Sequence, residues 1–232
     1  MAKYSKRYMN TLKAAPKKPV SVVEAVKFIK AHPGSKKFDE TLDVAMRLGA
    51  DSTKTDTPVR GVVKLPAGSG KKVRVVVFAG GEHADQARAA GADFVGMDDL
   101  IEKVTGEGWT DFDVAIATTE AMKSVRKCAR VLGPRGLMPN PKTGTVTDDP
   151  ATAVKEAKAG KVDFRMDKTG NCCVIAGKLS FDEDKLVSNV NAVVAAVTAA
   201  RPASVKGVFI KSLTLSSTMG IGVPCILPTD VE

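Results

Sequence analysis

The sequence predicts an α/β protein of two domains, with a small Rossmann-like parallel sheet in the middle of the chain, and three observations carry that reading. From residue 73 the chain becomes a tight series of short apolar runs and helical segments in the order strand, helix, strand, helix, strand, helix. The first of those runs, residues 73–79, is apolar throughout except for Arg74, as a strand buried on both faces requires. Charge is divided in the same way. Residues 73–159 carry 11 basic and 13 acidic side chains, whereas 1–72 and 160–232 together carry 24 and 13, so the whole net charge of +9 resides in the two ends. A polyanion-binding surface built from that excess requires the termini to meet in space.

Each element has its own local signal. Residues 1–20 are basic and punctuated by proline, which predicts a partly ordered arm. Ser21 and Glu24 stand at capping-box spacing before a helix with Val22, Val26 and Ile29 on one face, ending near His32-Pro33-Gly34. Leu42, Val44, Met46 and Leu48 alternate with smaller or polar residues, the mark of a strand with one buried face. A second strand at 59–65 follows the polar loop 51–58, and 66–72 reads as a hinge. In the middle region helices are expected at 84–90, at 100–104 capped by Asp98, and ahead of Gly133, the last with Met122, Val125, Ala129 and Leu132 on its core face. Strands are expected at 92–95 and 114–117.

The run GPRGLMPNPKTGTV at 133–146 packs three glycines and three prolines into a loop of defined shape with no helix or strand. Its Leu137 and Met138 are expected to pack against something. Asp149-Pro150 then caps a helix ending at Ala159-Gly160. Residues 161–166 and 171–176 read as a hairpin around Asp167-Lys168-Thr169-Gly170, and Ser180 with Glu183 repeats the capping-box spacing before a long helix. That helix turns Leu186, Val190, Val193 and Val197 to the core, and two last strands, 208–216 and 221–227, close the chain.

Composition limits function. At 232 residues and 44% hydrophobic the chain can bury a full core. Cys128, Cys172, Cys173 and Cys225 lack metal spacing, adjacent Cys172 and Cys173 point to opposite faces of a strand, and a reduced, cytosolic compartment fits them. No apolar run approaches the ~20 residues of a membrane helix, and the N-terminus lacks a signal-peptide core. His32 and His83 are isolated, Gly68-Ser69-Gly70-Lys71 lacks phosphate-loop spacing, and Gly80-Gly81 follows a strand without the dinucleotide fingerprint. These signals support neither catalysis nor a cofactor. A nucleotide-dependent enzyme using the middle domain is the alternative.

Binding chemistry is better represented. Lys36 and Lys37 flank Phe38; Arg165 and Lys168 surround a turn; Lys211 sits on a strand rich in hydroxyls, with Ser212, Thr214, Ser216, Ser217 and Thr218. Cations neutralise phosphates, while hydroxyls, glycine backbone and exposed apolar groups press on sugars and base edges.

GPRGLMPNPKTGTV, together with KKFDET at 36–41, FRMDKTG at 164–170 and STMG at 217–220, closely resembles the ribosomal protein L-one family, in its bacterial branch, along nearly the whole chain. The resemblance implies a discontinuous RNA-binding domain one, an α+β sandwich of 1–67 and 160–232, and an inserted domain two at 68–159. It implies RNA contacts at Lys37, Phe38, Glu40 and Thr41, at Asp167 and Lys168, and at Ser212, Thr218, Met219 and Gly220. Arg165, Lys211, Thr214 and Ser216 join them from the residue-level reading, with Arg135 and Lys142 as secondary contacts. Implied partners are large-subunit ribosomal RNA, exit-site tRNA, other ribosomal proteins and the protein's own mRNA, in a non-enzymatic stalk protein without cofactor. Ile221 departs from the family pattern, which has proline there, and predicts a less rigid loop exit.

Overall fold

The computed structural model describes residues 5–35, 37–50, 59–203, 205 and 207–227. The chain forms two compact units, Met1–Gly70 with Val162–Glu232, and Lys71–Lys161. The expected loop 51–58 lies outside the described residues.

The first unit opens on α1 (Lys6–Ala14), within the stretch where a partly ordered arm was expected. Ser5 explains the difference: its hydroxyl accepts the Tyr8 amide as an N-cap, and no proline interrupts the run before Pro16. None of its residues is buried. α2 (Val22–Ala31) carries the full capping box between Ser21 and Glu24 and buries Ala25, Val26 and Ile29. β1 (Thr41–Leu48) and β2 (Arg60–Lys64) follow.

The second unit contains β3 (Val75–Phe78), α3 (Glu82–Ala89), β4 (Phe94–Gly96), α4 (Asp98–Gly106) and β5 (Val114–Ala117). Its sheet is parallel, in the order β4-β3-β5. Val76, Phe78, Ala115 and Ala117 pack on one side with α4, and Val75, Val77 and Ile116 on the other with α3 and a later helix. That two-sided burial is why these strands are uniformly apolar. Asp98 opens α4 and supplies first-turn charge, but the cap residue is Met97 and no side-chain cap bond forms.

The helix expected before Gly133 is α5 (Met122–Val125), a 3-10 turn (Arg126–Cys128) and α6 (Ala129–Leu132). The 3-10 turn brings Cys128, three residues after Val125, onto the buried face, and Leu132 follows four residues later in α6, so these three are buried and Ala129 is exposed, correcting the expected core position. The following loop is not wholly irregular. It contains a 3-10 turn at Pro141–Thr143 and a parallel bridge from Val146 to Ala117 of β5. Leu137 and Met138 pack on the α4 side of the core, as expected, and Gly136 and Gly144 take the positive φ that the turns require. α7 (Pro150–Lys158) starts from Asp149, whose carboxylate accepts the Thr152 amide.

β6 (Lys161–Arg165) and β7 (Asn171–Lys178) do not form the expected two-stranded hairpin. They share one bridge, Met166 to Cys172, then diverge: β6 pairs with β2, and β7 joins a four-stranded antiparallel sheet. α8 (Glu183–Ala199) begins after Asp182 rather than from Ser180, whose N–H and hydroxyl donate instead to the Asp39 carboxylate. β8 (Ile210–Ser217) and β9 (Gly222–Cys225) complete the sheet in the order β7-β1-β8-β9.

Leu42, Val44, Met46, Leu48, Val174, Leu213, Leu215 and Val223 face α2 and α8, with Leu186, Val190, Val193 and Val197 opposite them. Since successive strand residues point to opposite faces, the other side of the sheet carries Asp43, Ala45 and Arg47, Asn171, Cys173 and Ile175, and Ser212, Thr214 and Ser216. All of these are exposed or half-buried.

Candidate nucleic-acid interface

The strand register sorts the expected contact residues into two groups at opposite ends of this open face. Thr41 pairs with Lys178 and Leu42 with Ser217 at one end, whereas Arg47 pairs with both Asn171 and Ser212 at the other. Six residue steps along β1 separate Thr41 from Arg47, about 20 Å at the usual rise per strand residue.

At the first end, the turn Thr218-Met219-Gly220 is fastened to its neighbours by backbone. Thr41 N–H donates to the Thr218 hydroxyl at 3.0 Å, Thr218 N–H returns to the Thr41 carbonyl at 3.1 Å, and Gly220 N–H closes on the Ser217 carbonyl at 3.1 Å. Gly34 backs the turn so closely that a Cβ there would lie 2.6 Å from the Met219 carbonyl carbon and oxygen. Met219 is left 57% exposed and Phe38 52% exposed on this tied scaffold. Ile221, the departure from the family pattern, buries its side chain, and Gly222 starts β9 directly after it.

Lys178, which the sequence reading missed, belongs to this end. Its ammonium stands 5.4 Å from the Phe38 ring centroid and donates to the Asp39 carbonyl and the Thr41 hydroxyl, each at 3.1 Å. Lys37 is exposed alongside; Lys36 lies outside the described residues. Glu40, expected at the RNA surface, is 1% exposed, so in this arrangement its side chain faces inward and cannot be a surface contact.

The second end is organised by Asp167. Its carboxylate accepts the Asn171 amide at 2.7 Å, the Thr169 amide at 2.9 Å and the Thr169 hydroxyl at 2.8 Å, while Gly170 at φ 83° turns the chain. Those donors, the Asn171 amide foremost, hold the carboxyl below the usual carboxylate range. Asp167 therefore shapes the turn that presents Lys168, with Arg165 exposed on the strand leading in. Lys211 is exposed at the β-bulge where the β1 and β8 register shifts, next to Ser212. Arg47, also missed, is exposed opposite both Asn171 and Ser212; its odd-numbered place in the β1 alternation was the available signal. Thr214 and Ser216 lie between the two ends and are half-buried. Arg135 is exposed in the other unit, where Lys142 occupies the 3-10 turn with its side chain outside the description.

The remaining reactive groups point away from chemistry. Among the described residues no cluster of three or more His, Cys, Asp or Glu is placed to hold a metal ion. His32 stacks on Phe28 at 4.5 Å. Burial pushes the Cys172 and Cys225 thiols up to about 11, and Cys128 is fully enclosed. Cys173 alone of the four is exposed. Thiol titration of the native protein at neutral pH is therefore expected to find one fast-reacting cysteine, abolished by Cys173→Ser; two or more fast equivalents would contradict this packing.

A model of the Ribosomal protein L1p/L10e family matches residues 28–221. The chain belongs to that family. Its relatives include the large ribosomal subunit protein uL1 of Corynebacterium glutamicum (strain R), 53% identical over 96% of this chain and 94% of the relative. The uL1 protein of Corynebacterium urealyticum is 55% identical over 97% and 94%, and that of Mycolicibacterium smegmatis 54% over 97% and 95%. Both ends of the open sheet face fall within the matched span.

Proposed function

We propose that the protein is a non-enzymatic constituent of the large ribosomal subunit, working on the ribosome in the cytoplasm, and that it binds large-subunit ribosomal RNA through the open face of the unit formed by both chain ends. The observation that carries this reading is the fastened turn at Thr218-Met219-Gly220, which holds Met219 exposed near Phe38 and its Lys178 cation. Apolar tips on a rigid backbone suit the wide, shallow minor groove of RNA, and the surrounding lysines suit its phosphates. An RNA long enough to touch both ends crosses Thr214 and Ser216 on its way to Arg47.

Family membership supports the wider role: a mobile stalk that governs departure of deacylated tRNA from the exit site, contacts with other ribosomal proteins, and repression of the protein's own mRNA through an imitation of the ribosomal site. The Lys71–Lys161 unit is a Rossmann-like insertion serving as scaffold, with Arg135 and Lys142 as secondary RNA contacts.

Titration with stalk-region ribosomal RNA tests the core of this. With about four phosphates neutralised, affinity should fall roughly a hundredfold between about 50 and 200 mM salt. Bound RNA should also slow modification of Cys173, which lies on the same face. Salt-independent binding, or binding that leaves Cys173 fully reactive, would place the RNA elsewhere.

A further inference from the structure

Glu40 joins the two loops that carry Phe38 and Met219. One carboxylate oxygen accepts the Ser35 amide and the other accepts the Met219 amide at 3.2 Å. The same residue's carbonyl accepts the Leu179 amide at 2.9 Å, which ties the 178–181 turn to the group. At 1% exposed, the carboxylate cannot meet a ligand without the loops opening. Both bonds are part-buried, and a carboxylate accepting backbone amides makes shorter, stronger bonds than a neutral acceptor. Ser35 and Met219 are separated by more than 180 residues of chain, so local sequence cannot hold these loops in register.

We infer that Glu40 is a positioning residue for RNA binding: its buried carboxylate clamps Ser35 and the turn at 218–220 to the strand-entry segment that carries Phe38, making one surface, and it does not touch the RNA. This rests on the RNA-binding reading above. A carboxylate is required because two N–H donors converge on it; an amide can accept from one loop only and turns an NH2 group toward the other.

The test compares wild-type protein with Glu40→Gln, and with Glu40→Asp as a second variant that keeps the charge but is one methylene too short to reach both loops. Stalk-region RNA affinity should fall about ten- to a hundredfold in Glu40→Gln, with an unchanged dependence on salt because no phosphate contact is removed. Met219→Ala should weaken the wild type clearly but add little in the Glu40→Gln background, since the turn is already released. Amide hydrogen exchange, which needs no RNA, should show lost protection at Met219 or Ser35 with the β1 and β8 core amides unchanged. Wild-type affinity in both Glu40 variants, or fully additive losses in the double mutant, would overturn the positioning role. Absence of RNA binding by the wild type would instead defeat the RNA reading, and the exchange measurement would still decide whether Glu40 clamps the loops.

Discussion

Replacing Asn189 with leucine is expected to lower the melting temperature of the protein by on the order of 10 °C. Asn189 is a polar residue at 0% exposure on α8, among Leu186, Val190 and Val193, and both its side-chain oxygen and its NH2 group are hydrogen-bonded to the chain. Its side-chain oxygen accepts the Ala67 amide at 3.0 Å, and its amide nitrogen donates to the Gly68 carbonyl at 3.0 Å and to the Ala176 carbonyl at 2.6 Å. Leucine keeps the branched outline and has a better helix propensity, but its methyl groups are bulkier, so the substitution adds overpacking to the loss of the polar bonds and both lower stability. It leaves one N–H and two carbonyls without that partner, and the loss at the buried Ala176 carbonyl alone costs roughly 1–3 kcal/mol. These bonds fasten Ala67 and Gly68, within the 66–72 stretch expected from sequence to be a hinge, onto the β7 and α8 side of the first unit. A melting temperature within about 2 °C of wild type, measured by calorimetry, would mean that the segment is held by something else.

Gly34→Ala is expected to reduce affinity for stalk-region RNA by roughly a hundredfold, with a smaller effect on melting than Asn189→Leu. The added methyl meets the Met219 backbone at 2.6 Å, and backbone cannot rotate away as a side-chain tip can. Either the turn shifts, carrying Met219 off the surface it presents, or the Ser35–Glu40 loop shifts and breaks the carboxylate clamp. Gly220 differs in this respect. A Cβ at Gly220 first meets the Ser217 hydroxyl at 2.3 Å, a group with no partner of its own that can swing aside. Substitution at Gly34 should therefore weaken RNA more than Gly220→Ala does. The reverse order in a binding titration would show that RNA approaches the Gly220 backbone more closely than the protein does at Gly34.

Much of the fold was readable because local rules agreed with the tertiary outcome. The Ser21–Glu24 capping box, the alternation of β1, the 3.6-residue pattern of α8 and the doubly buried strands of the second unit all form where their patterns indicate. Failures came where one local signal had a competing use. Ser180 has the spacing of a cap, yet its hydroxyl is taken by Asp39 from a segment 141 residues earlier. The turn at Asp167 has hairpin chemistry, but β6 and β7 find better partners in β2 and β1 and separate after one bridge. The candidate site shows the same division. Lys37, Phe38, Met219 and Gly220 were visible as residue types in a basic, glycine-turned context, whereas Lys178 and Arg47 acquired their places only through strand pairing.

By itself, the sequence determined the family, the elements, the unequal division of charge and the residue types of the candidate RNA-binding surface, because composition, periodicity and short motifs are properties of neighbouring residues. Only the tertiary structure decided that the candidate contact residues occupy two ends of one open sheet face, and that Glu40 faces inward. Both depend on which strands pair and in what register, and a register joining residues more than 120 positions apart is set by the packing of the whole core on α2 and α8.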